Sequence, residues 1–154
     1  MNDQLIETWQ IHNRINLYLL DAINPEALSG IAASKGRSVA EQFAHVHNVR
    51  LMWLKSAAPE LLDRVNKIEK EDANNHELLR QALVDSGDAI TKLLAASIEN
   101  GGRVKGFKPH VVGFLGYIIS HESHHRGQIA LTLKQSGNPL DKKTSFGLWE
   151  WGTR

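Results

Sequence analysis

The sequence contains no cysteine in its 154 residues. That excludes a disulfide framework, a thiolate zinc site, an iron–sulfur cluster and a thiol nucleophile supplied by the chain itself. An excess of one charge is also lacking: 18 Lys+Arg against 17 Asp+Glu leave a formal net charge of +1. Nucleic-acid binders ordinarily carry a basic face or tail, so this balance argues against a nucleic-acid partner. Long hydrophobic runs are missing as well. The longest apolar-leaning stretch, Val111–Ile119, is interrupted by Gly113 and Gly116. It falls far short of the roughly twenty residues a membrane span needs. The opening MNDQLIETWQ has acidic residues early and no apolar core, unlike a signal peptide. The expectation is a cytoplasmic protein with no membrane partner.

What is present suits one globular domain over residues 1–154, with 42% hydrophobic and 23% charged residues. A chain of about 150 residues buries roughly 68–70% of its unfolded surface and needs no covalent staple. The hydrophobic pattern is helical almost throughout. Ile11, Ile15, Tyr18 and Ala22 mark one stripe of a first helix from Asp3 to about Ile23, ended by Asn24-Pro25. Ser29–Arg37, rich in Gly, Ser and Ala, reads as a loop. Ser38-x-x-Glu41 is a capping box and opens a second helix ending near Lys55–Ala57. Its stripes are Phe43, Val46, Arg50 and Trp53, then Gln42, His45, Val49 and Met52.

The charged stretch Pro59–Ala73 has room for one short helix over Glu60–Asn66. Asn74-x-x-Glu77 repeats the capping pattern before a third helix, whose inner stripe is Leu79, Leu83, Ser86, Ile90, Leu93 and Ser97. Asn100-Gly101-Gly102 stops it. Pro109 suits the first turn of a fourth helix running to about Gln135. The tail Asn138–Arg154 carries Phe146, Trp149 and Trp151 without regular spacing. No segment alternates like a strand. The fold class predicted is all-α: a four-helix bundle with a long connection between helices 2 and 3 that permits a crossover, and an irregular aromatic C-terminal tail.

Four of eight histidines fall between positions 110 and 125. His121 and His125 are four residues apart, so they share a helix face. Their stripe, Phe114, Ile118, His121, His125, Gln128 and Thr132, begins apolar and therefore faces inward. Buried imidazoles need partners, and a metal ion would serve both. A third ligand must come from a facing helix, and His45 on the second helix is the candidate. Three histidines with open positions form a catalytic type of metal site, and imidazole suits Zn, Ni, Fe or Cu. His124 lies about 100° off the stripe, beside the ligands. Gln128 lies on it and is placed to hydrogen-bond a ligand histidine. His12, His47, His76 and His110 receive no role, and Gly127 is expected to permit a close helix approach. No catalytic residue is assigned outright. His121-Glu122-x-x-His125 also spells H-E-x-x-H, which makes Glu122 the candidate general base of a zinc protease, with Glu150 as the only downstream acidic ligand.

The stretch HESHHRGQIALTLKQSGNPLD resembles the last helix of the DinB/YfiT-like family, whose pattern is roughly H-x-x-x-H-R-G-Q. SVAEQFAHVHNVRLMWL resembles that family's second helix, and Trp9-x-x-x-Asn13 its first. The resemblance implies a four-helix bundle with a crossed connection. It also implies a divalent ion on His45, His121 and His125, nickel or zinc ahead of iron or manganese. Relatives include S-transferases that use low-molecular-weight thiols, and many are homodimers. The resemblance thus implies a small-molecule substrate, a low-molecular-weight thiol cosubstrate and a homodimeric partner. Three readings remain open: a metal-dependent transferase or hydrolase, a non-enzymatic metal- or ligand-binding bundle, and a zinc protease. The tail's aromatic residues have three placements: over the metal cleft, in a dimer interface, or on the domain's own core.

Overall fold

A computed structural model describes every residue, Met1–Arg154. The chain is all-helical, with α1 over Asn2–Asp21, α2 over Val39–Ala57, α3 over His76–Glu99, α4 over Val111–Gln135 and a short α5 over Lys142–Gly147. The caps explain most boundaries. Ser38 Oγ accepts from Glu41 N–H at 3.1 Å, which is half of the expected capping box. The Glu41 carboxylate turns instead toward Lys70, 3.9 Å away. α3 is capped one residue later than Asn74, by Asn75, whose Oδ1 accepts from Leu78 N–H at 3.1 Å. α4 opens after Pro109 rather than on it, because His110 Nδ1 accepts from Gly113 N–H at 3.1 Å. The short helix expected over Glu60–Asn66 shrinks to a 3-10 turn at Pro59–Leu62.

Two apolar cores fix the helix directions. One gathers Leu19 and Leu20 from the end of α1, Val39 and Phe43 from the start of α2, Leu79 and Leu83 from the start of α3, and Ile129 and Leu133 from the end of α4. The other gathers the opposite ends: Leu5 and Trp9, Leu54, Ile90 to Leu94, and Phe114 to Ile118. α1 and α4 therefore run one way, and α2 and α3 the other. Because α2 and α3 are parallel, residues 58–75 must climb the full length of the bundle. Ala58 lies in the second core, and Ile68 and Ala73 in the first. α1 contacts α3 and α4, α2 also contacts α3 and α4, and α1 and α2 lie diagonally. No helix is long and apolar enough to cross a membrane.

The tail is less irregular than its sequence suggests. Asp141 Oδ1 accepts from Thr144 N–H at 2.7 Å and caps α5. Leu140 and Leu148 pack on the first core. Arg154 lays its guanidinium over the Tyr18 ring at 3.7 Å, and Gly147 lies against the same ring. The tail thus packs on α1, on its own domain, with Phe146 and Trp149 exposed.

Candidate metal centre

α1 presents a face that its apolar stripe does not reveal. Its buried residues include His12, Asn13 and Asn16 alongside Leu5, Trp9, Ile15, Leu19 and Leu20, whereas Ala22 of the expected stripe is exposed. These polar groups form a layer between the two cores. Its centre is Arg50, fully buried, whose Nε and Nη2 donate to Glu122 Oε2 and Oε1 at 2.8 and 2.7 Å. The remaining Arg50 donors reach Leu83 O, Ser86 Oγ and Asn13 Oδ1 at 3.0, 3.1 and 2.8 Å. All five guanidinium N–H groups are thereby satisfied. Glu122 Oε1 also accepts from Asn16 Nδ2 at 2.9 Å and lies 3.0 Å from His12 Nε2. Arg126 Nη1 donates to Asn16 Oδ1 at 2.7 Å and to His12 Nδ1 at 3.2 Å, so His12 is the neutral Nε2–H tautomer here.

This layer corrects the role foreseen for Glu122. Burial alone would raise its carboxyl pKa, but the Arg50 charge and hydrogen bonds, with His12, hold it well below the ordinary carboxylate range. Both oxygens are committed inside the bundle, so Glu122 is unavailable as a base toward His121 and His125. Glu150 is exposed in the tail, outside the histidine group. The protease arrangement is therefore absent. Arg126 is half-buried in the same polar layer.

One turn along the other face of α4, three histidines converge. His45, His121 and His125 offer nitrogen atoms that all lie within 4.8 Å of one another. His121 Nε2 and His125 Nε2 are 3.2 Å apart. Two nitrogens held at about 2.1 Å by one ion sit roughly 3.0–3.4 Å apart, so the pair has the separation of co-ligands. His121 Nδ1 is buried without a hydrogen-bond partner. That atom faces away from His125, so it is the Nε2 separation and the three converging imidazoles that fit a cation. Burial lowers the pKa of all three rings, His125 to about 4 with His121 and His45 adding their repulsion. They are neutral at pH 7, which is the form that ligates.

The group that orients the cluster is Gln42, not Gln128. Gln42 Oε1 accepts from His125 Nδ1–H at 2.7 Å, which turns the Nε2 lone pair toward His121. Gln128 makes no hydrogen bond to the cluster. His124 is exposed, with its ring edge-on to His125 at 5.1 Å. The stripe carrying His45 is only half-buried, with Met52 exposed at its end, so the cluster sits at the rim of the α2–α4 groove rather than in the core. Gly127 is exposed and touches nothing beyond its own helix, so it does not serve a close helix approach.

His47 and His76 tie other segments to the bundle. His47 Nε2 donates to Asn66 O at 2.7 Å, and Asn48 pairs with both backbone groups of Ile68, which together pin the crossover segment to α2. His76 Nε2 donates to Leu20 O at 2.8 Å. The one sequence signal for the polar layer was Arg50 itself, a cation on a stripe with Phe43, Val46 and Trp53.

The family model described as the DinB family matches residues 1–144. No curated protein and no solved structure matches the chain.

Proposed function

The chain belongs to the DinB family, and from that premise we propose that it is a divalent-metal-dependent enzyme acting on a small electrophilic molecule. The observation that carries this reading is the convergence of His45, His121 and His125, with the Nε2 atoms of His121 and His125 3.2 Å apart. Nickel or zinc is the proposed ion, with iron or manganese next, and a low-molecular-weight thiol the proposed cosubstrate. A bound divalent ion would supply Lewis acidity, lowering the pKa of water or thiol at its open position.

The chain's own residues prepare that position. Three neutral imidazoles bring lone pairs and no negative charge, so the ion's charge stays uncompensated. Gln42 fixes the tautomer and ring orientation of His125. The rim position of the cluster leaves one side open to a ligand. With no cysteine in the chain, any sulfur nucleophile must arrive with the cosubstrate.

The test is metal analysis of protein purified without a polyhistidine tag from metal-replete growth. Wild type should carry close to one ion per chain, and a His45→Ala/His121→Ala variant none. Wild type that emerges essentially metal-free would sink the reading. A non-enzymatic metal-binding bundle is the second reading, favoured by the commitment of Glu122 to Arg50. Strong stabilisation by metal without metal-dependent consumption of any thiol and electrophile pair would decide for it.

A further inference from the structure

The loop before α2 delivers one more charge to this centre. Lys35 and Gly36 both take positive φ, 67° and 93°, a double turn that re-aims the chain. The loop is anchored: Ala33 N–H donates to Gln135 Oε1 at 2.7 Å, Lys35 N–H to Ala32 O at 2.8 Å, and Val39 N–H to Gly30 O at 3.0 Å. Arg37 leaves this turn just before Ser38 caps α2. It lines a cavity of about 270 Å³ with Glu41, His45, Lys67, Glu69 and Lys70.

The charges in that cavity are not equivalent. Lys67 pairs with Glu69 at 3.6 Å, and Lys70 with Glu41 at 3.9 Å. Arg37 has no acidic partner and no hydrogen bond to another group. It is an uncommitted planar cation sharing a cavity with a histidine of the cluster. No carboxylate joins the cluster to offset an ion. The cavity lining carries three cations, Arg37, Lys67 and Lys70, against two carboxylates, Glu41 and Glu69, so it is net positive before an ion adds to it.

We propose that Arg37 is the anchor for a carboxylate on the small molecule that enters the three-histidine centre, and so selects acidic ligands over neutral ones of the same shape. A guanidinium presents paired donors in the plane a carboxylate requires, which a lysine cannot reproduce. Lys67 and Lys70 each have a carboxylate neighbour, which Arg37 lacks. The proposal rests on the metal reading above.

The experiment uses the full chain loaded with cobalt(II), whose d–d absorption reports the histidine site itself. It is titrated with 3-mercaptopropionate and with the neutral 3-mercaptopropionamide, the thiol serving as a reporter through its sulfur-to-cobalt charge-transfer absorption. Wild type should bind the acid roughly tenfold or more tightly than the amide, the scale of one charge-assisted hydrogen-bonded pair. Arg37→Gln should lose that preference while keeping the d–d spectrum. Arg37→Lys should keep part of it, and Lys67→Gln nearly all. A wild type without preference, or an Arg37→Gln variant that retains it, overturns the proposal and leaves the metal reading standing. Absence of a cobalt spectrum in wild type overturns both.

Discussion

Arg50 on α2 and Glu122 on α4 face each other through two hydrogen bonds of 2.7 and 2.8 Å, both side chains almost wholly out of solvent. Glu122 sits next to His121 in sequence, yet its carboxylate points into the bundle while His121 points to the groove. Adjacent positions on a helix are about 100° apart, and that angle separates a structural glutamate from a metal-type cluster. Truncating one partner of a buried pair strands the other charge. Glu122→Ala or Arg50→Ala should therefore cost about 3–5 kcal/mol in urea unfolding. Loss of under about 1 kcal/mol in both, the range of an exposed pair, would refute the buried-pair assignment.

Acid should unfold the protein through this same layer. The folded pKa of His12 is lowered below 6.5, by burial first, and that of Glu122 is lowered below 4.5 by Arg50 and His12 against the cost of burial. In both cases the unfolded chain binds the proton more readily, so stability is full above the unfolded pKa and falls as pH drops. The urea midpoint should decline from pH 7 toward 5, where His12 acts together with His45, His47, His121 and His125, whose folded pKa values are lowered as well, and more steeply below 4.5. His12→Gln should flatten the upper part of that profile. A midpoint that rises on acidification would contradict the sign.

The sequence exposed the elements better than their faces. On α3, where every inner position from Leu79 to Ser97 is apolar or small, the apolar period located the buried face correctly. On α1 it did not, because the buried face carries His12, Asn13 and Asn16, which a hydrophobic period scores as surface. The three histidines were legible because His121 and His125 lie one turn apart and His45 lies on a facing helix. Gln42 was not, since it is four helices' worth of folding, rather than any spacing, that brings it to His125. Long-range partners of this kind depend on interhelical register, and no local pattern encodes that.

Gln42 should matter to metal affinity more than to folding. Removing the acceptor for a ligand histidine's second nitrogen typically weakens metal binding about 10–100-fold. Gln42→Ala should show that loss in a zinc competition titration, with Gln128→Ala unchanged as the control. Equal affinities in the two variants would separate Gln42 from the centre.

Gly87 tests whether the polar layer acts as one unit. It lies buried in the middle of α3, where glycine is the poorest helix former after proline. An added Cβ would meet the Asn13 side-chain amide, whose Oδ1 accepts from Arg50 Nη2 at 2.8 Å. The carbonyl of Gly87 accepts from Trp9 Nε1 at 2.9 Å, and the Arg50 guanidinium lies 4.9 Å from the Trp9 ring centroid. Displacing Asn13 therefore removes an Arg50 partner, which outweighs the better helix propensity of alanine. Gly87→Ala should destabilise by about 1–3 kcal/mol, the usual cost of overpacking. The steric argument also fixes the coupling. With Asn13 already cut to alanine, the new methyl has nothing to push aside, so Gly87→Ala in that background should be neutral or stabilising. The double-mutant cycle should thus give a coupling of about 0.5–3 kcal/mol. Strict additivity would show that Gly87 serves the helix backbone alone and that the layer does not depend on it.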